Sequence, residues 1–292
     1  MMVIRRKRTL FDWVNAGLLA LGAVLTILPF YNIIIISFAN NADYLRRSVY
    51  LLPTSFDLTS YATVLQNPYL FRAIGVTLFN TVVGTMLNML LTSISAYALS
   101  KEHIPGTRLI MKLILFTMFF SGGLMPFYFV VTRLHLVNSL LVMIVPSAIS
   151  TFYLIMLRNY YQGLPPSIEE SAKMDGANDI YILFRIVIPT SIPIMTTLIL
   201  FYAVDRWNEY YNALLFLNAK ALYPLQLFLR EVIRNFISVP FLQARIETSR
   251  GKLNTTSMQM AIICISIVPI ACIYPFVQRH FTKGILLGAV KE

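Results

Sequence analysis

Glu169, Glu170, Lys173, Asp175 and Asp179 crowd into one short stretch, EESAKMDGAND, of a chain that is otherwise largely apolar. Carboxylates grouped this way can take charge-assisted hydrogen bonds from basic side chains or N–H groups of a partner. Groups that would make or break bonds are scattered instead. His103, His135 and His280 stand alone, and no H-E-x-x-H, C-x-x-C or G-x-S-x-G spacing occurs. The nearest approach to a phosphate loop, SRGKLNTT at 249–256, lacks the first glycine and has Leu253 where Ser or Thr must hold magnesium. A second polar group sits inside apolar runs: Asn80, Asn88, Thr92 and Ser93, then Asp205, Arg206, Asn208 and Glu209. Polar side chains at membrane depth are costly and face a cavity or a neighbouring helix. Tyr202, Trp207, Tyr210 and Tyr211 could line such a cavity beside them, or form the aromatic belt at the bilayer surface.

The elements that carry these residues are membrane helices. Hydrophobic residues make up 57% of the 292 positions and charged residues 13%, whereas soluble domains hold about 45–50% and about 25%. Six runs, at about 13–38, 73–99, 109–131, 138–157, 189–206 and 258–277, approach the roughly 20 residues that a helix needs to cross a bilayer. They are continuous rather than alternating, which excludes an outer-membrane barrel and predicts an all-α membrane protein with six transmembrane helices in one domain over 1–292. The first run is too long for a signal-peptide core and has no cleavage pattern, so it reads as a retained helix. Cys264 and Cys272 lie eight residues apart in the last run, about 12 Å along a helix, too far for a disulfide.

The net charge of +11 reflects loop lysines and arginines rather than nucleic-acid binding. The basic cluster RRKR at 5–8 and the 100–112 loop place the N-terminus in the cytoplasm. The outer segments are then 39–72 and 207–257. The second contains YPLQLFLREVIRNF, whose apolar positions repeat at helical spacing; it can dock an external partner or lie along the membrane. The loop at about 158–188 falls on the inner side. Pro165 and Pro166 stop the preceding chain, and Ser167 stands three residues before Glu170 at capping-box spacing. Gly176 suits a left-handed C-terminal turn, and Asn178 suits the cap of a second helix leading to Pro189. A helix of about eight residues is marginal in water and needs something to pack on.

This segment resembles the cytoplasmic coupling motif of ABC importer permeases, written E-A-A, three residues, G, nine residues, I-x-L-P. Glu170, Ser171 and Ala172 fill the triplet, Gly176 follows at the right distance, and Ile186, Val187, Ile188 and Pro189 complete the motif. Ser171 and Ile188 depart from it without changing the spacing. The MDGA at 174–177, WNEYYNALLFL at 207–217 and YPFVQRHFTKGILLGAVK at 274–291 are similar to the carbohydrate-uptake branch. The resemblance runs from about residue 70 onward. It implies a type I importer (MetI-like) fold with a coupling helix, in a bacterial cytoplasmic membrane, with both termini cytoplasmic.

The resemblance further implies a second permease subunit, often a different chain, two ATPase subunits below, and an extracytoplasmic solute-binding protein above that delivers an oligosaccharide. The chain carries no cofactor of its own: ATP and magnesium bind the ATPase. Glu170, Ala172 and Gly176 become docking residues, with Glu169, Ser171, Asp175 and Ala177 beside them. Asn80, Asn88, Tyr202, Trp207, Asn208, Glu209 and Tyr211 become candidates for the substrate path. Arg206, Arg230, Arg234, Arg245 and Arg250 on the outer face would suit an acidic, uronate-type sugar, acidic residues of a binding protein, or lipid head groups. An ion-coupled secondary transporter is the alternative, but the two halves show no internal repeat of the kind such carriers often carry.

Overall fold

A computed structural model describes residues 9–40, 56–101, 104–234, 240–248, 254–269 and 271–272. The basic cluster at 5–8, the middle of the 39–72 segment, His103, His280, Arg250, most of SRGKLNTT and the tail from 273 onward lie outside them. All regular elements among the described residues are helical.

Two helices are long and apolar enough to cross a bilayer alone, Leu10–Ser37 and Pro68–Ser100. In the first, polar groups are satisfied within the helix itself: Thr26 Oγ1 donates to Gly22 O at 2.8 Å and Asn32 Nδ2 to Leu28 O at 3.3 Å. That is what lipid demands, since it offers no partners.

Three of the six runs are less simple than continuous helices. The run expected at 109–131 is two helices, Thr107–Phe119 and Leu124–Arg133, meeting at 116°. Gly123, with φ of 84°, makes the corner. The run at 138–157 starts as irregular backbone with one 3-10 turn, Leu140–Met143, before the helix Thr151–Gln162. Asn138 holds a left-handed φ of 58° there, a conformation its short polar side chain tolerates. Its side-chain oxygen accepts from the backbone N of Asn218 at 3.2 Å and of Ala219 at 3.0 Å. The run at 189–206 corresponds to Ile192–Trp207, entered at 88° from the segment Asp179–Thr190. That segment widens into a π-helical stretch, Leu183–Val187, just before Pro189. Proline lacks an N–H and its ring clashes with the carbonyl four residues back, so widening the helix relieves the conflict. The last run is represented by Thr255–Pro269.

The chain divides into two compact units, one of residues 1–68 with 229–269 and one of residues 69–228 with 270–292. In the first, Ser37 Oγ meets Tyr61 OH at 2.6 Å and Ser257 Oγ donates to Ala39 O at 2.9 Å. Arg245 Nη2 donates to Gln66 Oε1 at 2.8 Å within the same unit. The second unit carries both candidate functional regions. One of its apolar clusters gathers Tyr97, Leu157, Ile182 and Leu198. Another gathers Val142, Met143, Phe216 and Leu227.

Candidate functional site

The polar loop forms a helix, Pro166–Met174. Its start differs from the expected capping box. Pro166 occupies the first helical position, where its fixed φ is pre-organised and its missing N–H costs nothing. Ser167 therefore lies inside the first turn and makes no side-chain cap bond. The end is as the sequence predicts. Gly176 has φ of 81°, its N–H donates to Lys173 O at 3.0 Å, and Ala177 N–H donates to Ala172 O at 3.0 Å. These two bonds make a Schellman motif. Asn178 caps the following helix, its side-chain oxygen accepting from Tyr181 N at 2.8 Å.

The helix has an inner and an outer side. Ala172 is buried within the chain's own cluster, beside the Tyr97 and Leu157 set. Glu169 Oε2 is paired with Lys101 Nζ, and Lys173 pairs with Asp179 at 3.1 Å. Ala172 and Glu169 thus hold the helix to its own chain instead of being offered outward. Glu170, Ser171, Asp175 and Gly176 are exposed, and Ala177 is half-buried. Met174 joins the outer side at 88% exposure, with Ile180 and Tyr181 next to it. An exposed methionine in a polar loop is the signal that sequence reasoning passed over: an apolar side chain at a helix end in water invites a partner.

The second region centres on Arg206, which is only 3% exposed. Its Nη1 donates to Met143 O and, at 3.0 Å, to Ser147 Oγ. Its Nη2 donates to Asn88 Oδ1 at 2.8 Å, Ser147 O at 2.6 Å and Ile144 O at 3.3 Å. The arginine therefore satisfies carbonyls that the broken run at 138–157 leaves without helical partners, the condition under which irregular backbone survives at membrane depth. Gly84 makes room for it: a Cβ there would lie 2.9 Å from Arg206 Cδ and 3.0 Å from Nε. Asn80 Nδ2 donates to Arg206 O at 2.9 Å.

Beside this arginine lies a cleft of about 130 Å³ lined by Asn88, Ser147, Tyr202, Asp205, Arg206 and Glu209, among others. Tyr202 is fixed through Thr92 Oγ1 at 2.7 Å and Ser150 N at 3.1 Å. Asp205 Oδ2 accepts from Tyr153 OH at 2.9 Å, and Glu209 Oε1 accepts from Asn212 N at 3.0 Å. The sequence-nominated residues separate here. Asn88, Tyr202 and Glu209 line the cleft. Asn80 is fully buried behind it as a support, and Trp207 is buried away from it, with no hydrogen-bond partner for its Nε1 among the described residues. Asn208 turns to Val204 O at 2.9 Å, and Tyr211 is exposed. Buried Tyr202 and Trp207 cannot serve as an interfacial belt, whereas Tyr210 and Tyr211 still can. Arg206 is not on the outer face, and with both of its terminal nitrogens committed it has no fork left for a uronate carboxylate. Among the described residues no group of three or more His, Cys, Asp or Glu forms a metal site.

No family model matches the chain. It is 40% identical over 286 residues to the polygalacturonan/rhamnogalacturonan transport system permease protein YtcP of Bacillus subtilis, covering 98% of this chain and 99% of that one. It is 41% identical over 285 residues to protein LplC of the same organism, covering 96% and 95%. Its structure resembles a chain in the crystal structure of a bacterial ABC transporter involved in the import of the acidic polysaccharide alginate, with a TM-score of 0.89, 33% identity, and coverage of 96% of this chain and 100% of the other. The chain belongs to the family of permease subunits of ABC sugar transport systems, which are integral membrane proteins and not enzymes.

Proposed function

We propose that this chain is one membrane-spanning subunit of an importer for acidic, uronate-type oligosaccharides, driven by ATP hydrolysis in two partner ATPase subunits. In this reading it crosses the cytoplasmic membrane six times with both termini inside. It pairs with a second, different permease chain and receives sugar from an external solute-binding protein. The observation that carries the reading is the capped helix Pro166–Met174, whose outer side presents Glu170, Ser171, Met174 and Asp175. A short helix closed by its C-terminal turn and tied to its own chain through Glu169 and Ala172 passes a push as a rigid body rather than bending. The acidic sugar class is supported by two relatives, one a polygalacturonan/rhamnogalacturonan transport system permease and one a chain of a transporter involved in alginate import. Within this chain the cleft offers hydroxyl and carboxylate groups suited to sugar hydroxyls, so a carboxylate-binding cation would come from elsewhere along the path.

Reconstitution of the four kinds of subunit in liposomes tests the reading. Uptake should require ATP inside and survive a protonophore, and Gly176→Asp or Glu170→Lys should leave hydrolysis running while uptake falls. Normal transport by either variant refutes the coupling assignment. Uptake that collapses with the protonophore and survives ATP depletion would favour an ion-coupled carrier.

A further inference from the structure

Two routes lead from the loop helix into the membrane. The covalent one runs through Asp179–Thr190, which contains the π-helical stretch and ends in the 88° corner at Ser191. A widened helix followed by a corner is an indirect path for a displacement. The other route is non-covalent and straighter. Lys101 immediately follows the 33-residue helix Pro68–Ser100. Its ammonium pairs with Glu169 of the loop helix and lies 4.2 Å from the centre of the Tyr97 ring. Arg158 Nε holds the same helix end by donating to Leu99 O at 2.9 Å. Ala172 packs in the cluster that includes Tyr97 and Leu99. Thirteen residues before Lys101, about 20 Å along this unbroken helix, Asn88 accepts from Arg206 at the cleft.

We infer that Lys101 is a positioning residue for coupling: through Glu169 it carries displacement of the loop helix along Pro68–Ser100 to the Asn88–Arg206 contact, without itself touching the ATPase. This rests on the permease reading above. The Lys101 and Glu169 side chains retain only 14% and 21% exposure, so removing one partner leaves a largely buried charge unpaired and costs stability as well as coupling. The swapped pair, which restores the attraction with the charges exchanged, separates coupling from that stability cost.

The test uses the complete transporter in liposomes with a short oligogalacturonide as probe, reading uptake and ATP hydrolysis in the same vesicles. Lys101→Met should lower sugar moved per ATP at least tenfold while the ATPase still co-purifies. Lys101→Arg, which can pair with Glu169 and stack on Tyr97, should stay within twofold of the parent. The swapped pair, Lys101→Glu with Glu169→Lys, should recover at least half of what either single change loses. An unaltered ratio in Lys101→Met, or a swapped pair no better than the worse single variant, overturns the inference. If Lys101→Met fails to assemble, the swapped pair decides alone: assembly with recovered uptake supports the inference, and assembly without uptake overturns it. Absence of ATP-driven oligogalacturonide uptake by the unaltered complex overturns the acidic-oligosaccharide importer proposed above and this inference with it.

Discussion

Arg206 joins three segments that are far apart in the chain, and its partners are mostly backbone carbonyls. Removing it leaves Ile144 O, Ser147 O and Asn88 Oδ1 unsatisfied in the interior, and Met143 O with only a long bond from Ser147 Oγ. Each such group costs about 1–3 kcal/mol, so Arg206→Met should destabilise by about 3–5 kcal/mol after partial relaxation. A clear drop in the apparent melting temperature of the purified chain is the check. Gly84→Ala should also destabilise, by about 1–3 kcal/mol, because the neighbouring side chain is pinned by those bonds and cannot step aside. Gly75→Ala in the same helix is the control: nothing lies within 4 Å of its would-be Cβ, and the change should be neutral or slightly stabilising. Sequence reading found Asn88 and Asn80 from their cost in an apolar run, and grouped Arg206 with them or with the outer arginines, but it could not see the carbonyls that Arg206 binds. Its partners lie 59 to 118 residues away, and nothing local signals them.

At the scale of elements, local rules were legible and long-range ones were not. The left-handed stop at Gly176 and the cap at Asn178 follow from side-chain chemistry within a few residues, and both are realised. Ser167 failed as a cap because Pro166 already fits the first helical position. The SGG at 121–123 announced the corner after Phe119, but the apolar run on both sides masked it. Asn178→Ala should loosen the second loop helix by about 1 kcal/mol, seen as faster amide exchange at Tyr181. Gly176→Ala meets open space but must hold a left-handed backbone, at a cost of about 1–2 kcal/mol. It should therefore weaken coupling less than Gly176→Asp, which adds a charge on the exposed side. Measuring uptake per ATP for the two variants side by side separates backbone strain from surface charge.

For the whole molecule, the permease reading depends on the outer side of Pro166–Met174 meeting an ATPase in the cytoplasm. Ala172 is a poor reporter, since it faces the chain's own core, whereas Met174 points outward and is almost wholly exposed. A photo-crosslinking amino acid at Met174, in the complex assembled in membranes, measures the contact directly. The account predicts an adduct between this chain and the ATPase subunit, lost when the ATPase is omitted. An adduct with the external binding protein, or none with the ATPase in a complex that still contains it, would contradict the account.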